Sequence, residues 1–374
     1  ITESQSTLPI EFDLLQYAPA PWRPQDCLVI AGEFRWYLTG RFPVICIPEI
    51  AKRTLGQGPL FDAFLKPEAD GECILSPGMY PTERCGVEPL GLGLGVNRHF
   101  EVGTKTAVTG RAAGGAKKSD VGRHSRTEQN VMLPGPGVGD TVGDPQAAEG
   151  SNNWVVSGAL TASGQSMVAS DPHIAFAAVS CWHEVRLKGG SFDVTGVSYA
   201  GMPAVMLGRN PRVAWGITNN ICSLRDLYQE QTSSAHPGCF LREGQWEKWT
   251  EITEDIRVKG CDTLKKTIRY SSNGPLVDEI LPGPARATGP VALRWVGMYP
   301  CGWTTALINM GRANSVSELQ EASRPWLCPT FSIVAADDQG HIAYQATGRI
   351  PIRNVWERGY RPGEDPAHQW AGFI

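Results

Sequence analysis

The most constraining feature of the chain is a stretch, residues 103–150, that cannot build a core. It contains no Phe, Trp or Tyr and few large aliphatic side chains, and it carries Gly114-Gly115, Lys117-Lys118, Arg123, Arg126 and Pro134-Gly135-Pro136-Gly137. Such a composition buries too little apolar surface to offset the entropy lost on ordering it. A structureless run of this length inside one folded unit is uncommon and asks for a functional reason. The stretch reads as a mobile linker. At its end the chain changes character at once, as Glu149-Gly150-Ser151-Asn152-Asn153-Trp154 leads into short apolar runs spaced by turns.

The composition outside the linker is that of a folded protein. Of 374 residues 41% are hydrophobic and 19% charged, which excludes bulk disorder, and the length suggests two or three units. Glycine, 42 of 374, stands above the usual ~7%. The net charge of 34 − 38 = −4 gives no reason to expect nucleic acid or an anionic membrane as partner. No run of about 18 apolar residues is present, so no spanning helix is expected. The first residues, Ile1-Thr2-Glu3, show neither an initiator Met nor a signal peptide, consistent with a processed or truncated N-terminus. The ten cysteines are spread singly without a CxxC pair, which disfavours a zinc site and leaves any disulfide pairing open.

Before the linker, Pro24-Gln25-Asp26 resembles a helix start, followed by Leu28, Val29, Ile30, Phe34 and Leu38 near helical spacing, and a second helix is expected over Pro48–Leu55. Residues 71–104 are turn-rich and include Gly91-Leu92-Gly93-Leu94-Gly95. After Ser151, strands are expected at 154–156, 166–169, 174–176, 181–187, 204–207, 213–216, 227–230, 267–270, 290–295 and 332–336. Ser315 is a plausible N-cap for a helix over 315–323, with Glu318 three residues on.

A glycine followed by a serine is, on its own, only a turn into a strand. Here it is followed in order by Asp171-Pro172-His173, Asp193-Val194-Thr195-Gly196, Gly201-Met202-Pro203, Leu207-Gly208-Arg209-Asn210 and Trp215-Gly216-Ile217-Thr218-Asn219. With that ordered set, the sequence resembles the penicillin acylase family of N-terminal nucleophile hydrolases, from about Pro19 to the last residue apart from the linker. The chemistry has its own physical rationale. A serine hydroxyl needs a base within hydrogen-bond reach. If the bond before Ser151 is cut, that serine gains an α-amine, which titrates near ~7.7–8.0 and is partly unprotonated around neutral pH. Nucleophile and base then belong to one residue, an N-terminal variant of the catalytic triad. Gly150, without a side chain, leaves its carbonyl open to the Ser151 hydroxyl and tolerates strained backbone angles.

The resemblance implies the remaining roles. Asn219 matches the position whose backbone N–H enters the oxyanion hole, and His173 matches a residue that orients the α-amine. Ser332 stands where the family has an Asn side chain as second oxyanion donor; its shorter reach puts full activity in doubt. Arg353 matches an Arg that steadies the site. Several relatives bind a structural calcium; of the matching carboxylates only Asp226 is kept, with Gln25 and Ser223 in place of Glu and Asp. Calcium takes about 6–8 oxygens, usually several anionic, so no cofactor is required and a weak calcium site or none is expected. Phe34, Leu38, Ile174, Leu207 and Ile217 are expected to line a mostly aliphatic acyl pocket.

The organisation expected is an α+β chain with the four-layer αββα sandwich of the family, here incomplete at both ends. Residues 1–104 would be the later part of a small subunit, 105–150 a spacer, and 151–374 the first part of a large subunit, both subunits coming from one precursor. The implied reaction is hydrolysis of a linear amide, such as the N-acyl side chain of a β-lactam or an acyl-homoserine lactone, and the resemblance favours a secreted or periplasmic location. The alternative is a non-catalytic, unprocessed binding protein on the same scaffold.

Overall fold

A proline at the first helical turn has its φ preset and lacks an N–H that would be unpaired there. Pro24 uses both properties, and the Asp26 carboxylate reaches back to accept the Arg23 N–H at 2.7 Å. The computed structural model describes Leu8 and residues 10–39, 42–65, 151–174 and 181–374. The turn-rich stretch 71–104, the spacer 105–150 with Gly150, and most of the strand expected at 174–176 lie outside the described residues.

Among the described residues four helices precede Ser151: α1 Ile10–Leu15, α2 Pro24–Thr39, α3 Pro43–Leu55 and α4 Pro59–Leu65. Helix α3 begins five residues before the expected Pro48, because Pro43 already supplies the first-turn proline and Pro48 is taken inside the helix. From Ser151 onward the chain is dominated by strands. They begin with β1 Ser151–Val156, β2 Met167–Pro172, β3 Trp182–Gly189, β4 Phe192–Tyr199, β5 Leu207–Arg209, β6 Val213–Asn219 and β7 Arg225–Gln229. Next come β8 Cys239–Arg242, β9 Gln245–Lys248, β10 Thr250–Ile256, β11 Leu264–Ser271, β12 Gly274–Pro275 and β13 Val291–Trp295. Two helices, α5 Trp303–Arg312 and α6 Val316–Ser323, are followed by β14 Phe331–Asp337, β15 Ile342–Thr347, β16 Pro351–Arg353, β17 Arg361–Pro362 and β18 Trp370–Phe373. Ser315 caps α6 as expected, accepting the Glu318 N–H. Helix α5 has no counterpart among the expected elements. Of the strand expected at 204–207, only Leu207 falls within β5; Met206 just before it donates its N–H to the Val197 carbonyl at 2.9 Å, accepts the Trp215 indole N–H and is fully buried, so most of the run fills core.

The central element is a six-stranded antiparallel sheet in the order β15-β14-β6-β5-β4-β3. Register fixes what each face carries, since residues opposite one another share a face and neighbours along a strand do not. Gly196, Gly208 and Trp215 stand in line across β4, β5 and β6, on the face of Val194, which packs against Gly311 of α5. Gly216 therefore points to the other face, where the β1–β2 ribbon lies across β6 and β14. The approach there is close: a Cβ on Gly216 would sit 2.8 Å from the Ser170 Cβ, a separation real side chains do not adopt. Glycine is thus what lets the ribbon settle on the sheet.

The segments on the two sides of the spacer share their cores. Ala31 and Phe34 of α2 belong to the main cluster with Val194, Trp215, Leu307 and Met310. Phe42 and Cys46 join Leu227, Leu281 and Val291 in a second cluster beside the three-stranded sheet of β13, β7 and β17. The chain is a mixed fold of helices and largely antiparallel sheets, built jointly by both segments.

Candidate active site

Ser151 is the first residue of β1 and stands opposite Pro172 at the end of β2. Its Oγ accepts the backbone N–H of His173 at 3.2 Å, while the His173 ring turns aside, with Nε2 2.8 Å from the Asp171 carboxylate. Side chain to backbone bonds stitch the ribbon to the sheet beneath. Asn153 Nδ2 donates to the carbonyls of Ser332 (2.9 Å) and Gly216 (3.3 Å), and Ser170 Oγ donates to that of Ile217 (3.2 Å). The Ser151 hydroxyl is thus held by the residue that follows β2, while its strand is fastened to the sheet two residues on, at Asn153.

Asn219 ends β6 opposite Phe331. The next residue, Asn220, donates its N–H to the Thr330 carbonyl at 2.9 Å. In an antiparallel ladder hydrogen-bonded and non-hydrogen-bonded pairs alternate, so the Asn219 N–H points away from β14. The other neighbour, β5, has ended its pairing at Trp215. The Asn219 side chain is committed elsewhere, donating to the Leu38 carbonyl at 3.1 Å. Two residues on, Ile221 holds φ at 41°, a left-handed conformation that strains a β-branched residue.

Ser151, His173 and Asn219 line one shared cleft. Of the expected acyl-pocket residues, Phe34, Leu38, Ile174 and Ile217 line it. Leu207 does not. It lies on β5 opposite Val197 and packs against the main core, which corrects the expectation for that residue. The sequence reading missed Tyr37, Trp182, Ile221 and Phe331, all of which face the cleft. Tyr37 was within reach, sitting one turn beyond Phe34 on the same helix; Trp182 and Ile221 arrive from distant segments. The wall is consequently more aromatic than expected. Behind it Phe34 contacts Tyr199 with ring centroids 4.3 Å apart, and Trp182 meets both edge-on. The Tyr199 hydroxyl donates to Glu33 at 3.3 Å; burial pushes the Glu33 carboxyl above its usual range and raises the Tyr199 phenol as well.

Three other expected site residues lie elsewhere. Phe331 faces the cleft, so the alternation along β14 turns Ser332 away, and its Oγ pairs with the Tyr344 hydroxyl at 2.9 Å. Ser332 is not among the residues that line the cleft. Ser332→Ala is therefore expected to change kcat/KM by less than about tenfold, against the ~10²–10³ that a lost oxyanion donor costs; steady-state hydrolysis by the purified variant measures this. Arg353 and Asp226 form an ion pair of 2.8 Å that does not line the cleft.

The chain matches the penicillin amidase family model over residues 1–374. It is 27% identical over 377 aligned positions to the acyl-homoserine lactone acylase QuiP of Pseudomonas aeruginosa, covering 98% of this chain and 40% of that protein. It is 30% identical over 234 positions to the penicillin acylase 2 proenzyme of Pseudomonas sp. strain SE83, covering 61% of this chain and 29% of that one. A solved thermostable penicillin G acylase from Alcaligenes faecalis aligns at TM-score 0.47 and 19% identity, covering 61% of this chain and 38% of the other. The chain thus spans less than half the length of the relatives it matches. The match runs unbroken across both helical and strand-rich segments: the chain belongs to the penicillin amidase family.

Proposed function

We propose that the protein hydrolyses linear amides of N-acyl compounds through an acyl-Ser151 intermediate. The observation that carries this reading is that Ser151 and Asn219 line one cleft, with the Asn219 N–H turned away from β14. Ser151 Oγ would first attack the Gly150 carbonyl, breaking the Gly150–Ser151 amide bond and freeing its own α-amine, and water would then hydrolyse the resulting Gly150 ester, releasing the Gly150 carboxylate and restoring the Ser151 hydroxyl. That amine then takes the hydroxyl proton as Ser151 Oγ attacks the substrate carbonyl carbon, and gives it to the leaving nitrogen as the amide bond breaks. The Asn219 N–H stabilises the oxyanion, and a water activated by the same amine releases the acid. His173 holds the Ser151 hydroxyl through its backbone.

Relatives named penicillin acylase and acyl-homoserine lactone acylase support the substrate class. In both, an acyl chain is joined through an amide to a polar amine. An acyl group would enter between Phe34, Leu38, Ile174, Trp182 and Ile217. In this reading residues 1–104 belong to a small subunit, 105–150 to a spacer and Ser151 onward to a large subunit, the two completing a four-layer αββα sandwich.

Intact mass spectrometry of the full-length protein, with and without an acyl-serine reagent, tests the proposal. Two chains are expected, one starting at Ser151 and carrying the label there. A single unlabelled chain would overturn it and leave a non-catalytic binding protein on the same scaffold.

A further inference from the structure

The resemblance implies a structural calcium around Asp226, and the side chains there can be tested for it. Asp226 Oδ2 accepts Nε–H of Arg353 at 2.8 Å and the indole N–H of Trp370 at 2.6 Å. The other oxygens near it face the same guanidinium: Arg353 donates one terminal nitrogen to the Ser223 carbonyl (2.9 Å), the Ser223 hydroxyl (3.3 Å) and the Arg225 carbonyl (3.5 Å), and the other to the Pro351 carbonyl (3.2 Å). Gln25, the third matching position, is exposed on the first turn of α2. Across the ladder from Asp226 stands Arg294, whose guanidinium lies over the Trp370 ring. A divalent cation would find one carboxylate already bonded to two N–H donors, flanked by two guanidinium groups. Calcium needs about 6–8 oxygens with several charges among them. These residues do not fit the metal.

We infer that the Arg353 guanidinium is the built-in counter-cation of Asp226, standing where a metal ion would otherwise bind, and that it fastens the loop leaving the catalytic strand. Both partners are largely removed from water, the Arg353 side chain to 16% and that of Asp226 to 12% exposure. A pair this dry gains from being satisfied on every side, and here one planar cation satisfies five oxygens. The fastened residues, Ser223 and Arg225, lie shortly after the strained Ile221, with Cys222 between it and Ser223. Left-handed backbone at a β-branched residue persists only when its surroundings hold it, and Arg353 holds the downstream end, while Asn219 Oδ1 accepts the Ile221 N–H at 3.4 Å upstream. The consequence for the oxyanion donor Asn219 rests on the function proposed above; the ion pair itself does not.

The test is made on the purified full-length protein. Elemental analysis is expected to find no stoichiometric divalent metal, and the melting temperature is expected to be unmoved by a chelator or by millimolar calcium. Arg353→Met, which leaves the Asp226 charge behind, is expected to lower the melting temperature by roughly 5–15 °C. The double variant Asp226→Asn with Arg353→Met is expected to recover part of that loss. Stoichiometric calcium, a chelator-induced fall in melting temperature, or strictly additive losses in the two variants would overturn the inference. If Arg353→Met does not fold, the metal content of the wild type and the double variant still decide. All of these readouts stand whether or not the protein is processed or active, so their failure is distinguishable from failure of the proposed hydrolysis.

Discussion

Ser151→Ala protein is expected to stay a single uncut chain, and amide hydrolysis is expected to fall by at least ~10⁴-fold, the scale on which removal of a nucleophile acts in triad-type enzymes. The structure makes this a narrow test. What holds β1 in place is its pairing with β2 and the Asn153 amide, neither of which involves the Ser151 hydroxyl. Alanine at 151 removes one oxygen, together with its bond from the His173 N–H, and leaves the ribbon seated on the sheet. An unchanged melting temperature beside an uncut chain would therefore assign both losses to chemistry. Mass spectrometry of the expressed precursor reads the first, and turnover of N-acyl substrates of increasing chain length reads the second. A variant that is still cut at Gly150–Ser151 would mean that another protease performs the processing, and the self-cleavage step would be withdrawn even if hydrolysis required Ser151.

The sequence alone revealed the change of character at Ser151, the order of the motifs after it and eight of the eighteen strands in the described residues (β1, β2, β3, β6, β7, β11, β13 and β14), because these depend on local composition and spacing. It did not reveal what each motif residue does, since that depends on register. Gly196 and Gly208 are cross-strand partners, and a Cβ on either would come within 3 Å of backbone on the strand opposite, so their place among the motifs reflects packing of β4 on β5. Asn210 is architectural too. Its carbonyl oxygen accepts the N–H groups of Arg212 and Val213, and its amide donates to the carbonyls of Gly311 and Ala313, tying the turn before β6 to the end of α5. The same dependence misplaced Ser332. Period-two alternation in Phe331-Ser332-Ile333 says that one set faces the cleft, but only pairing with Ile217 and Asn219 says which. Arg353 and Asp226 were read as separate parts of a catalytic site and a metal site; they are 127 positions apart in the chain and meet through tertiary packing. Trp182 and Ile221 reached the cleft in the same way, beyond any local pattern.

The oxyanion role proposed for Asn219 would reside in its backbone and is best tested there. Asn219→Ala keeps the N–H and removes the side chain, with its bonds to the Leu38 carbonyl and the Ile221 N–H. Asn219→Pro removes the same side chain and the N–H as well. The ladder tolerates this, because the Asn219 N–H points away from β14, and a proline is admitted in a strand where no ladder bond is lost. Thr218, the residue before it, already lies in extended β6, the conformation that a following proline demands. The two variants therefore differ chiefly in one backbone hydrogen-bond donor, on a residue that lines the cleft. Asn219→Ala is expected to retain kcat within about tenfold, while Asn219→Pro is expected to lose a further ~10²–10³ in kcat with KM little changed, since the donor acts on charge that develops only in the transition state. Paired measurements of kcat, KM and melting temperature separate this from unfolding. Equal kcat in the two variants at equal stability would remove Asn219 from the mechanism and point to another group on the cleft as the oxyanion donor.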